Sequence, residues 1–135
     1  MSNSVTQDLY NIAGVATSLL PAARTSSASG TAIDLQGKES AVVIFHAGVC
    51  TDGTHVFSVQ ESDTTTDGDF AAATAIQGTA PTVTGTNNDE LIAKVGYVGT
   101  KRYIRARVVV SGGPSTGLVA SAIVVTGHAR HNPVS

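Results

Sequence analysis

The chain has 135 residues, 13% of them charged, and a formal net charge of −2. That is roughly half the usual share of charge, while the 41% apolar content excludes a disordered chain. The slight net acidity does not suggest a free nucleic-acid binder, which needs a basic surface.

The small net charge hides a split. Residues 1–90 carry all ten acids against Arg24 and Lys38, a balance of −8. Residues 91–135 carry six bases and no acid, a balance of +6. Charge divided this way along a chain points to a partner or to a self-complementary contact. Seventeen Thr, 17 Val, 18 Ala and no Trp suit strands, because Val and Thr are stiff at χ1 and pack well on a pleated surface. A chain of this length forms one domain with a core of its own. Cys50 is the one cysteine, so no intramolecular disulfide and no all-cysteine metal site is expected. The start, from Met1 to Asp8, lacks the pattern of a signal peptide. No apolar run approaches the roughly 20 residues of a membrane helix. A soluble protein made in a reducing cytoplasm is expected.

Residues 5–20 admit a short helix, on the near-helical spacing of Asp8, Leu9, Ile12, Ala13 and Ala16. Gly14, Val15 and Thr17 weaken that helix, a strand ending at Leu20 is the alternative, and Pro21 is expected to stop either one. Short runs at 22–26 and 31–35 flank the turn Ser27-Ala28-Ser29-Gly30. Ser40–Ala47 has Ala41, Val43 and Phe45 on one face and Val42, Ile44 and His46 on the other. A strand apolar on both faces is covered on both sides or lies at an interface. The turn Thr51-Asp52-Gly53-Thr54 carries an Asp-Gly dipeptide. The strand His55–Glu61 follows, and then an acidic loop to Asp69. Phe70–Gln77 is compatible with a helical turn or an irregular strand, and a small strand is expected at Thr82–Thr84.

Leu91–Val98 and Arg102–Ser111 are predicted to form a hairpin across Gly99-Thr100-Lys101. On the second strand Ile104, Ala106, Val108 and Val110 share one face and Tyr103, Arg105 and Arg107 the other, the cleanest period of two in the chain. Gly112-Gly113-Pro114 turns into a last strand, Leu118–Val125. About eight strands with no helix–strand alternation predict an all-β antiparallel sandwich or jelly roll, with at most one short helix near the N-terminus. The expected layout is an N-terminal arm over 1–21, a sandwich over 22–126 and an extended tail over 127–135.

No constellation of catalytic residues is present: there is no GxSxG elbow and no P-loop. His128 and His131 are three residues apart, but their setting is not helical and Arg130 between them repels a cation, so no metal or other cofactor is expected. His46 and His55 end and begin successive strands, a placement that allows them to be neighbours, and are expected as satisfied strand-end imidazoles with structural roles. The acids Glu61, Asp63, Asp67 and Asp69 lack the spacing of a calcium loop and are expected to be solvated. The basic face Lys101, Tyr103, Arg105 and Arg107 is the most informative feature. It docks an acidic partner or another copy, pairs with acids of neighbouring strands, or, with Lys94 added and Tyr103 stacking, meets nucleic acid.

Four stretches carry a resemblance. They are Glu39-Ser40-Ala41-Val42-Val43-Ile44-Phe45, Asp52-Gly53-Thr54-His55-Val56-Phe57-Ser58-Val59-Gln60-Glu61-Ser62-Asp63, Val95-Gly96-Tyr97-Val98-Gly99-Thr100-Lys101-Arg102-Tyr103-Ile104-Arg105, and Gly127-His128-Ala129-Arg130-His131-Asn132-Pro133-Val134. As an ensemble they resemble the capsid cement or decoration proteins of tailed bacteriophages. Val59-Gln60-Glu61-Ser62-Asp63 with Arg102-Tyr103-Ile104-Arg105 is also similar to discoidin-type jelly rolls. There the first phrase runs on to Gly-Thr-Trp, where this chain has Asp67-Gly68-Asp69-Phe70. Both resemblances imply a jelly roll. The first implies a non-enzymatic virion protein on the outer capsid surface, present in the host cytoplasm during assembly. Its implied partners are an HK97-like major capsid protein and further copies of itself, as dimer or trimer, with neither nucleic acid nor membrane bound directly. The expected contact residues are Lys101, Tyr103, Arg105 and Arg107 with His128, Arg130 and His131 of the tail. The rival expectation is a carbohydrate- or host-surface-binding module of a phage fibre or head.

Overall fold

A computed structural model of the chain describes residues 8–85 and 90–127. These form eleven strands: β1 (Gly14–Arg24), β2 (Ala28–Ser29), β3 (Ile33–Asp34), β4 (Ser40–Cys50), β5 (Thr54–Ser62), β6 (Ala71–Ala72), β7 (Ile76–Gln77), β8 (Thr82–Thr84), β9 (Ile92–Tyr97), β10 (Tyr103–Ser111) and β11 (Leu118–Gly127). One sheet has the order β1-β11-β4-β9-β7. The other has the order β2-β10-β5-β6, with β3 also on β10 and β8 also on β5. Every pair is antiparallel.

Take β2 and β3 as one interrupted strand and the stretch from β6 to β8 as another. The chain then has eight segments, whose orders are first-eighth-third-sixth and second-seventh-fourth-fifth. That is the jelly-roll arrangement of two interleaved Greek keys.

The period-two pattern decides which side of each strand is buried. On β10 the side chains of Ile104, Ala106 and Val108 are fully buried, and on β11 Leu118, Ala122 and Val124 are. Phe45 of β4 meets Phe57 of β5 across the two sheets with ring centroids 5.3 Å apart, a tilted contact that pins the layers at mid-height.

Several expectations change. The described residues hold one turn of 3-10 helix, at Asp67–Asp69, and no α-helix. The N-terminal helical spacing amounts to a turn in which the Ala13 amide donates to the Leu9 carbonyl at 3.0 Å. Pro21 does not stop β1, which continues to Arg24 with register shifts at 17–19 and 19–22. β1 is an edge strand, where a missing N–H leaves no ladder bond unmade. The arm expected over 1–21 is therefore part of the five-stranded sheet from Gly14 onward. β9 and β10 do not form a hairpin: β9 pairs with β4 and β7, while β10 pairs with β5, β2 and β3. The 98–102 link steps from one sheet to the other. The Asp52-Gly53 turn and the 112–117 loop make the same kind of step.

Candidate functional site

The outward face of β10 carries Tyr103, Arg105 and Arg107, as its alternation dictates, with Lys101 and Arg102 just before the strand. Asp34 of β3 and the acids beyond β5 lie on either side of it, and the acids reach across. Lys101 Nζ lies 3.0 Å from Asp63, Arg102 grips Asp34 through two nitrogens at 2.9 and 3.0 Å, and Arg105 Nη1 lies 2.7 Å from Asp67. The charge split along the sequence is thus joined within the fold by three ion pairs between residues 34–67 and 101–105.

Arg105 is the most committed of these. Its Nε donates to Gln60 at 2.8 Å, its guanidinium lies 4.0 Å from the centroid of the Phe70 ring, and the residue is 7% exposed. The 63–70 loop folds over it, so its charge faces the chain and not an outside partner. Arg107 is half-buried and donates to Ser29 at 2.6 Å. Lys101 keeps much of its side chain exposed at 44%. The Arg102 guanidinium also stacks 5.1 Å from the Tyr103 ring centroid. His128, Arg130 and His131 lie outside the described residues.

The electrostatics follow these contacts. Hydrogen bonding from Arg102 holds the Asp34 carboxyl below the usual range, and Lys101 does the same for Asp63. The two bases are raised in return. The four acids of the loop meet four different donors: Glu61 accepts from Tyr97 Oη at 2.7 Å, Asp63 from Lys101, Asp67 from Arg105, and Asp69 from Thr64 Oγ1 at 2.6 Å. Among the described residues no three His, Cys, Asp or Glu side chains converge on a point that could hold a metal ion.

His46 and His55 are not neighbours. His46 is exposed on the outer face of β4, whereas His55 is fully buried on β5 in the other sheet. His55 Nε2 lies 3.0 Å from the Asp52 carbonyl, and its Nδ1 is buried without a partner.

A cleft of about 390 Å³ opens at one end of the sandwich, lined by Lys38, Glu39, Asp63, Tyr97, Lys101 and Arg102 among others. Burial and the hydrogen bond to Glu61 push the Tyr97 hydroxyl up to about 12. That hydroxyl also accepts from the Lys101 amide at 3.0 Å, which fixes the step between the sheets.

A second surface was signalled in the sequence but not assigned. The strands of the five-stranded sheet hold two charged residues, Arg24 and Lys94. Its register sets Val15 beside Val125 and Val42, and Thr17 beside Ile123 and Ile44, all on the side away from the core. Val42, Ile44, Ile123 and Val125 are only half-buried, and Val15 and Ile92 are exposed. The signal was the two-faced apolarity of β4. No described layer covers that second face except the 9–13 turn at one end.

Compared with models of known protein families and with curated protein sequences, the chain matches none significantly.

Proposed function

We propose that this protein is a non-enzymatic structural component of a virion, a cement or decoration protein that binds the outer surface of a phage capsid and stabilises the shell. The observation that carries the reading is the pairing of Gly14 with Thr126. The first and last described strands lie side by side there, so the chain enters the sandwich at Gly14 and leaves it after Gly127 at neighbouring points. Segments that continue from adjacent points suit clamping of adjacent shell subunits, and weak contacts repeated over a lattice gain strength from multivalency. The four stretches that resemble phage decoration proteins support the same reading, as does a surface poor in charge. Lys101, whose side chain stays 44% exposed beside Asp63, is the cation of the expected face best placed to meet a shell, since Arg105 is buried under Asp67 and Gln60 and Arg107 is half-buried against Ser29.

Co-sedimentation with empty capsids tests the proposal. The full chain should pellet with shells, and removal of 128–135, which leaves β11 whole, should reduce occupancy. Failure of the full chain to pellet would refute the capsid reading. Undiminished binding of the truncated chain would refute the role of the tail.

The second reading is a carbohydrate- or host-surface-binding module. The polar cleft between Lys38, Asp63 and Lys101 favours it, being open and rich in hydrogen-bonding groups. A glycan array with the purified protein separates the two readings.

A further inference from the structure

Sheets that pack in a core are apolar on the packed side and normally polar on the other. The six-stranded sheet obeys this. Outside its core face it shows Gln60, Ser58, Arg105 and Arg107 in register, with one apolar pair, Val56 and Val109, beyond them. The five-stranded sheet does not, because its outer face centres on Val15, Val42, Ile44, Ile123 and Val125. Its four long strands, β1, β11, β4 and β9, contain 11, 10, 11 and 6 residues. At about 4.8 Å between strands and about 3.3 Å per residue, they present a flat projection of about 600 Å². Side chains corrugate that surface further. This is the scale of the roughly 800 Å² each partner contributes to a standard stable interface. An apolar patch of several hundred Å² marks an interaction surface.

The charge pattern selects the partner. None of the acids in the described residues lies on a strand of this sheet, and His46 and Lys94 are its titratable side chains on the outer face. An acidic or basic surface would lose its hydration here and gain one cation in return. An identical face brings the same shape and the same near-absence of charge. Edge-to-edge growth is opposed by Pro21 on the open edge of β1. Stacking leaves the edges free.

We infer that the outer face of the five-stranded sheet is a self-association surface, on which a second copy of this chain packs face to face as a two-fold dimer. With the two-fold axis along the strands between β11 and β4, β9 of one copy lies over β1 of the other. Each Lys94 then meets Thr17 and the open edge, and not its counterpart. Sheets stacked in this way keep their strands within about 30° of one another. The inference stands apart from the capsid reading, because it concerns the protein alone in solution.

Sedimentation velocity of the full chain, from low to high micromolar concentration, tests it. A reversible species of twice the monomer mass is expected. Val15→Glu and Ile92→Glu sit at exposed positions on opposite margins of the patch, so neither disturbs the core, as far-ultraviolet circular dichroism would verify. Each should weaken the dimer by at least about tenfold. Val109→Lys, on the outer face of the other sheet, should leave it unchanged. A monomer at every concentration overturns the inference, even if removing 128–135 then yields a dimer, since the chain's own tail would be the occupant. A dimer that survives both glutamate substitutions overturns it too, because association would lie elsewhere.

Discussion

The hydroxyl of Ser18 stands between the amide of Ala106, which donates to it at 2.9 Å, and the carbonyl of Thr31, to which it donates at 3.0 Å. Ser18 belongs to β1 in one sheet and Ala106 to β10 in the other. β2 and β3 pair with β10 at 107–108 and 103–104, leaving a gap between them. The register shift of β1 at 17–19 turns Ser18 inward to fill that gap. Ser18→Ala leaves the buried Ala106 N–H without a partner and should cost about 1–3 kcal/mol. Urea unfolding reads this as a lower midpoint with an unchanged slope.

Arg105 ties the 63–70 loop down. Arg105→Ala removes two hydrogen bonds and a cation–π contact and should cost about 2 kcal/mol. Amide exchange over 63–70 should quicken more than in β10 itself. Asp67→Asn, at a side chain 83% exposed, should cost less than about 1 kcal/mol. Equal losses from the two substitutions would contradict this division.

Asp52 caps the 112–117 loop, accepting from the amides of Gly117 at 2.5 Å, Ser115 at 2.9 Å and Thr116 at 3.3 Å. These bonds hold its carboxyl below the usual value of 3.8, the Gly117 amide most of all. A lowered folded value gives stability that is present above 3.8 and is lost as pH falls through the folded value. The wild type should lose stability on the acid side of pH 4, and Asp52→Asn should be less stable at neutral pH with a flatter acid limb. Thermal melts across pH 2–7 check both.

Tyr97 gives the opposite limb. Its folded value of about 12 lies above the ordinary 10.0. Its contribution is therefore complete below pH 10 and is lost as pH rises toward 12. Spectrophotometric titration should show one phenol ionising near 12, absent in Tyr97→Phe.

Gly117→Ala tests the step from β10 into β11. Gly117 has φ +77°, and an added Cβ would run into the backbone carbonyl of Arg24. The substitution should cost about 3 kcal/mol or more. At Gly37, with φ +83° but open space around it, alanine should cost about 1 kcal/mol.

Much of the jelly roll was legible because burial imposes a period of two. The alternation of Ile104, Ala106 and Val108 against Tyr103, Arg105 and Arg107 appears unchanged on β10. The destination of each strand was not legible. A short glycine-bearing link can close a hairpin or step across a sandwich. The choice depends on which distant strand supplies the ladder bonds, as β5 does for β10. That the basic face pairs with acids of neighbouring strands was one of its two main readings, but which acid meets which base was not legible, since Asp34 and Arg102 are 68 residues apart. The apolar outer face was half legible: the two-sided β4 announced it, and only the register with β11 and β1 showed that the face is continuous.

β11, the last of the described strands in chain order, lies between β1 and β4 inside its sheet. Before residues 118–127 emerge from the ribosome, the first strand has no ladder partner and Val43 and Phe45 lack one wall. Most pairings here join distant parts of the chain, a topology that folds slowly. The five-stranded sheet therefore closes only once residues 118–127 have joined it, and a chain cut short before Leu118 leaves β1 without its ladder partner.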